Sequence, residues 1–227
     1  MPVIAQLLPY LPYGLSPFFV GAGLVLGLVF SVPLVSGVVW CVQLTLGRGM
    51  RQGLAAGTGI ALAQGFWAGL AAVAIFLLAQ FSDKADWVFR FGAAGILTAM
   101  GFAVVQSRKI TTLTYDGPLE HSWPIFKTSF AVAATMPMRL LGYMALMISC
   151  SLHLRPHALL NAFLVAGGVV VGSWAWWFYF VLLAYFFGKR VPEDITLRSM
   201  NRLRLLSLAV FTGLFLICTT PLLFPGM

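Results

Sequence analysis

Charged residues are scarce in this chain. Only 9% of its 227 residues are charged, against 60% hydrophobic, whereas a typical soluble domain has about 25% charged residues. The composition therefore excludes an ordinary soluble fold. Lys and Arg outnumber Asp and Glu by 14 to 6, but the basic residues form short clusters between long apolar runs. That pattern favours contact with a membrane surface over nucleic-acid binding.

Acidic residues are missing from six long apolar stretches, and Arg139 is the one charged residue within them. A helix needs about 20 apolar residues to cross the hydrocarbon core of a bilayer, so each stretch predicts one transmembrane helix. The stretches are residues 17–46, 53–82, 91–107, 128–152, 158–188 and 205–227. They predict an all-α polytopic membrane protein with a single transmembrane domain over residues 1–227. The six acidic residues are then expected in loops: Asp83, Asp86, Asp116, Glu120, Glu193 and Asp194.

The basic residues outside these stretches are divided unevenly between the two sides of a membrane. With six crossings, Lys84, Arg90 and Arg155 lie on one side and ten basic residues lie on the other. An excess of Lys and Arg in short loops marks the cytoplasmic side. We therefore expect a multi-pass protein of the inner membrane with both termini on the outer, periplasmic face.

Three sets of residues recur in the same order in the two halves of the chain, residues 17–107 and 122–227. The sets are Ser31-Val32-Pro33-Leu34 with Thr135-Met136-Pro137-Met138; Gly59, Gln64 and Trp67 with Gly168, Ser173 and Trp176; and Arg90 and Gly101 with Arg202 and Gly213. Three helices per half place the halves in opposite orientations, so the pattern predicts two inverted three-helix repeats. The alternative is chance, because Gly and Trp are common in membrane helices.

Pro33 and Pro137 interrupt the first and fourth stretches. A proline inside a helix removes one backbone hydrogen bond and clashes with the carbonyl one turn earlier. In a membrane the freed groups need partners from protein, water or substrate, so paired breaks predict a binding site near the midplane. The alternative is that both prolines are packing kinks whose freed groups are satisfied by Ser31 and Thr135.

These motifs resemble the LysE/RhtB family of bacterial amino-acid exporters over about residues 18–216. The resemblance rests on FSVP at residues 30–33, LGRG at 46–49, GLAAGTGIAL at 53–62, GSWAWW at 172–177 and NR at 201–202. It implies a six-span inner-membrane exporter, often coupled to protons and often a homodimer. Gln64 stands where the family's second helix usually has an aspartate, and Ser31 and Val32 replace the usual proline and glycine. Proton coupling is therefore left open.

Arg139 follows Pro137 by two residues near the centre of a predicted span. An arginine there costs about 2.5–3.5 kcal/mol on insertion scales, and the spans offer it no carboxylate. We expect it to bind the carboxylate of a substrate, because a guanidinium matches carboxylate geometry. The alternative is that it snorkels or caps carbonyls freed by the kink. The expected substrate-binding residues are Arg139, Gln64, Ser173, Ser31 and Thr135.

Without an acidic partner for a cationic side chain, the expected cargo is a small neutral amino acid or a related carboxylate, exported by alternating access. Tryptophans of the second and fifth stretches could line a side-chain pocket or pack between helices. His153 and His157 have a metal-binding spacing that Pro156 interrupts. We expect no resident metal, no cofactor and no enzyme active site. The rival functions are a membrane scaffold that transports nothing and a metal-ion exporter.

Overall fold

The computed structural model of the protein describes residues 17–32, 34–78, 82–106, 122–149 and 159–187, with scattered helical positions between 205 and 219. The described residues form helices and contain no strand, which confirms the predicted all-α class for this part of the chain. The helices are α1 (Pro17–Ser31), α2 (Val35–Arg48), α3 (Met50–Leu78), α4 (Ser82–Gln106), α5 (Ser122–Ala134), α6 (Met138–Ser149) and α7 (Leu159–Phe187).

Two helices are long and apolar enough to cross a membrane, α3 over Met50–Ile75 and α7 over Asn161–Phe187. The pairs α1–α2 and α5–α6 each meet the same length and composition criteria as one broken span, bent by 81° and 68°. The apolar part of α4, Trp87–Phe102, is shorter. The described residues thus hold two to four candidate spans, consistent with a membrane protein. Six spans remain a prediction.

The bend between α5 and α6 lies at Pro137. This residue has no backbone N–H to donate to Ala133, four residues earlier, so α5 ends there. The chain then restarts with short-range bonds, from Arg139 N–H to the Met136 carbonyl (3.1 Å) and from Leu140 N–H to the Pro137 carbonyl (3.0 Å). The predicted break at Pro137 is therefore present. Pro33 lies outside the described residues, between α1 and α2.

The helices α3 and α7 pack against each other, and each also packs along one helix of a broken pair: α1 lies along α7, and α5 lies along α3. Glycines permit the close approach. A Cβ atom on Gly168 would meet the backbone of α1, 2.9 Å from Leu24 N, and one on Gly59 would meet the backbone of α5, 2.6 Å from the Phe126 carbonyl oxygen. Small residues at such crossings let membrane helices pack through their backbones.

Several charged residues lie elsewhere than the sequence suggested. Asp83 and Asp86 are not in a loop but in the first turns of α4, before its apolar part, where the helix dipole favours acidic residues. Lys127 is also helical, exposed on α5, with its ammonium 5.1 Å from the centroid of the Trp123 ring. Arg90, counted among the loop residues, is buried within α4. The other four acidic residues lie outside the described residues.

Candidate functional site

The break between α5 and α6 adjoins a cavity of about 370 Å³, a volume that includes its open mouth. The walls come from α2, α3, α5 and the first turn of α6. The lining residues are Leu34, Ser36, Gly37, Trp40, Ile60, Ser129, Val132, Ala133, Met136 and Arg139.

Arg139 supplies the charge of this cavity. Its side chain is 8% exposed, and its Nε and Nη1 atoms have no hydrogen-bond partner among the described residues. Its Nη2 atom lies 3.9 Å from the sulfur of Met136, which is a weak acceptor. None of the other lining residues is acidic or basic. A buried cation without a counterion is costly, so the cavity is electrostatically suited to an anion.

A second polar group of residues surrounds Gln64 on α3. Its Oε1 atom accepts hydrogen bonds from the hydroxyls of Ser31 (3.1 Å), Tyr143 (3.3 Å) and Ser173. The amide nitrogen of Gln64 has no partner among the described residues. All four side chains are fully buried. These residues, hereafter the Gln64 cluster, join α1, α3, α6 and α7 at one point.

The Gln64 cluster is also tied to the backbone of α1. The hydroxyls of Ser31 and Ser173 lie 2.7 and 3.3 Å from the carbonyl oxygen of Gly27. A hydroxyl has one proton to donate, so each serine satisfies either this carbonyl or Gln64. The cluster is a compact internal network, and its members do not line the cavity beside Arg139.

The structure thus brings together three of the five residues expected to bind substrate, Gln64, Ser173 and Ser31, in contact with one another. Arg139 lies in the neighbouring cavity. Thr135 lies in neither place, because its side chain is exposed and its hydroxyl donates to the Val132 carbonyl (2.9 Å). Tyr143 belongs to the Gln64 cluster. It follows Arg139 by four residues and so shares its face of α6.

Sequence reasoning did not single out Tyr143, Trp40 or Ser129. The indole nitrogen of Trp40 donates to the Ser129 hydroxyl (3.0 Å), which joins α2 to α5 across the cavity wall. These residues sit inside apolar stretches, where an aromatic or hydroxyl side chain carries no signal of its spatial partner. The one available clue was the helical spacing of Arg139 and Tyr143.

The tryptophans considered for a side-chain pocket lie elsewhere. Trp177 is buried against the glycines of α2 and α3, Gly37 and Gly57. Trp67 donates its indole N–H to the Ala133 carbonyl (3.3 Å), the acceptor that Pro137 leaves without a helical partner. Trp176 packs beside the same core as Trp177. Of the aromatic residues, Trp40 lines the cavity.

Metal ligands do not gather in the described part of the chain, where no group of three His, Cys, Asp or Glu side chains is close enough to hold an ion. His153 and His157 lie outside the described residues. The cavity beside Arg139 offers the sulfur of Met136 and serine hydroxyls, next to a cation. That donor set does not fit a metal ion.

Comparison with known proteins identifies no relative: no family model, no curated protein and no solved structure matches this chain. The likeness to LysE/RhtB exporters therefore rests on the sequence motifs alone and stays a prediction.

Proposed function

We propose that this protein is a multi-pass inner-membrane exporter of a small amino acid or related carboxylate, which it moves by alternating access. Arg139 carries the proposal. It is buried beside a partly open cavity, and two of its guanidinium nitrogens have no partner among the described residues. Buried ionisable residues in apolar helices are costly and usually functional. A substrate carboxylate supplies the missing counter-charge and matches the guanidinium fork.

An inverted repeat with six spans is part of the same proposal. Two observations support it. The equivalent glycines Gly59 and Gly168 occupy equivalent crossings, of α3 with α5 and of α7 with α1. The equivalent residues Gln64 and Ser173 meet where α3 crosses α7, as residues close to a pseudo-twofold axis would. Transporters built in this way bind substrate between their repeats, at discontinuous helices.

The cavity lies where such a binding site is expected, between the two halves. Its walls come from both halves, α2 and α3 from the first and α5 and α6 from the second. The break at Pro137 places Arg139 in the first turn of a helix, so the residue is held by α6 but faces the interruption. A relative movement of the halves would open this cavity first to one side and then to the other.

The test is efflux of a panel of labelled amino acids and small carboxylates from proteoliposomes, with and without a pH gradient. We expect Arg139→Ala to abolish the efflux of whichever compound the native protein exports. Arg51→Ala is the matched control, because Arg51 is an exposed arginine at the start of α3. Equal loss in both variants would contradict a specific role for Arg139.

The rival functions give different results in this assay. A scaffold moves no compound above the rate of empty liposomes, and its cellular phenotype survives Arg139→Ala. A metal exporter moves labelled metal ions and gains nothing from a buried cation. The effect of the pH gradient decides whether export is proton-coupled, given that Gln64 does not titrate.

A further inference from the structure

We infer that the cavity binds a monoanionic carboxylate without an ammonium group, held between Arg139 and the N-terminus of α2. This inference rests on the proposed function and names the substrate class within it. Two independent features converge on the same space. One is the buried Arg139 side chain with unpartnered nitrogens, and the other is a helix end without a cap.

The N-terminus of α2 lines the cavity through Leu34, Ser36 and Gly37. The first N–H groups of a helix have no partner within it, and a capping side chain usually takes one of them. Here the cap position is occupied by Leu34, and no side chain caps the helix. The end of a 14-residue helix carries a partial positive charge. Gly37 N–H already donates to the Leu34 carbonyl (3.0 Å), so this end contributes its partial positive charge, beside the Arg139 guanidinium, to one cavity.

The break between α5 and α6 is poorly suited to an ammonium group. Three of the carbonyl oxygens there that would accept from one already have one of their two acceptor positions taken. The Val132 carbonyl accepts from the Thr135 hydroxyl (2.9 Å), the Ala133 carbonyl from the Trp67 indole (3.3 Å), and the Met136 carbonyl from Arg139 N–H (3.1 Å). Among the described residues, no acidic side chain lines the cavity.

Net charge leads to the same ligand class. A zwitterionic amino acid carries no net charge and would leave the guanidinium's positive charge uncompensated inside the protein. A monoanion neutralises it, and buried charges are tolerated when paired. An inside-negative membrane potential also favours the export of an anion. The positive charge of Arg139 and the outward direction of transport therefore both favour an anion as the ligand.

The rest of the ligand is expected to be apolar with one small polar substituent. Trp40, Ile60 and Met136 supply an apolar wall. The Ser129 hydroxyl accepts from Trp40 (3.0 Å), so its own proton is available to a hydroxyl or keto oxygen of the ligand. A 2-hydroxy or 2-oxo acid with an apolar side chain satisfies each of these groups.

The first experiment compares two ligands with the same carbon skeleton, L-leucine and L-2-hydroxy-4-methylpentanoate, which differ by an ammonium in place of a hydroxyl. Binding to the purified full-length protein is measured by calorimetry in lipid nanodiscs. We expect the hydroxy acid to bind at least about tenfold more tightly, and Arg139→Gln to remove that binding. Equal or tighter binding of leucine overturns the inference.

The second experiment tests the helix end with a charge supplied by the protein itself. Ser36→Asp places a carboxylate in the first turn of α2, where it stabilises the helix and competes with the ligand. Ser36→Asn is its neutral match in shape. We expect the Asp variant to bind the hydroxy acid at least about tenfold more weakly than the Asn variant. Equal affinities of the two variants overturn the role of the helix end.

Efflux measurements separate this inference from the exporter proposal. If leucine is exported in an Arg139-dependent way and the hydroxy acid is not, the exporter stands and the inference fails. If the hydroxy acid binds as described but neither compound is exported, the anion site stands and the exporter fails. If neither compound binds or moves, both are overturned.

Discussion

Gly59 and Gly168, which correspond in the predicted repeat, each lie at a crossing where a Cβ atom would strike a neighbouring backbone. Ser31 and Thr135, which are equivalent in sequence, differ completely. Ser31 is fully buried in the Gln64 cluster, whereas Thr135 is exposed. The two glycines are therefore placed alike, but the two hydroxyl side chains are not.

The residues that follow the two prolines also differ between the halves. Arg139 follows Pro137 by two residues, and the residue two after Pro33 is Val35. The charged group of the cavity therefore belongs to one half alone, while the helix N-terminus that lines the same cavity belongs to the other. If the predicted repeat is correct, this unequal placement of charged groups suits the two halves to an asymmetric ligand.

Replacing Arg139 with methionine removes this asymmetry and has the largest expected effect. We expect Arg139→Met to abolish ligand-induced stabilisation and to raise the stability of the ligand-free protein by up to about 3 kcal/mol, because an unpaired buried charge is removed. Thermal unfolding in micelles, with and without added carboxylates, checks both effects. A stability loss without ligand would mean that Arg139 has a structural partner.

The equivalence of the two crossings is tested by Gly59→Ala and Gly168→Ala. We expect each to destabilise the protein by about 1–3 kcal/mol, because the added methyl group meets backbone atoms that do not yield easily. Gly167→Ala is the control, since a Cβ at Gly167 has nothing within 4 Å. Thermal unfolding of the three variants is compared. If Gly59→Ala and Gly168→Ala differ as much from each other as from the control, the crossings are not equivalent.

The contrast between Ser31 and Thr135 predicts a smaller effect on the free energy of unfolding than the glycine variants have. Ser31→Ala removes a buried hydroxyl whose single proton goes to the Gln64 oxygen or to the Gly27 carbonyl, which we expect to cost about 1 kcal/mol. Thr135→Val alters an exposed side chain and should stay within about 0.5 kcal/mol of the native stability. The same unfolding measurement applies, and equal losses would argue that Thr135 is buried in the folded protein.

Trp67 and Trp176 form the last pair. The indole nitrogen of Trp67 donates to the carbonyl that Pro137 frees, while that of Trp176 has no partner among the described residues. We expect Trp67→Phe to cost about 0.5–1 kcal/mol more than Trp176→Phe, because it alone loses a hydrogen bond. Chemical denaturation of the two variants measures the difference, whose absence would show that the Ala133 carbonyl finds another donor.

Much of the helical layout could be predicted from the sequence, because apolar runs and prolines act locally. The run over residues 158–188 closely matches α7, and Pro137 marks a real break. The sharpness of the bends was not predictable, since a proline alone does not determine the angle between the helices on either side of it. The start of α5 at Ser122 was also missed, because Lys127 lies on an exposed face and does not interrupt the helix.

The candidate site was predictable in its charge but not in its contacts. Arg139 stands out because it is the one charged residue in the apolar stretches. The structure buries it beside a cavity, as we expected of an arginine whose insertion into a membrane is costly. Gln64 and Ser173 were paired by spacing, yet the spacing did not reveal that they bond each other. Thr135 was misplaced because equivalence in sequence says nothing about which side of a helix end faces the interior.

Gly49 is the single residue between α2 and α3, and its φ of 95° is one that glycine adopts without strain. Its N–H still bonds the Thr45 carbonyl (3.0 Å), so the connection has no slack. The 14 residues of α2 span about 21 Å, at 1.5 Å per residue. A rotation of only ~10° about Gly49 would move the N-terminus of α2, which lines the cavity, through about 4 Å.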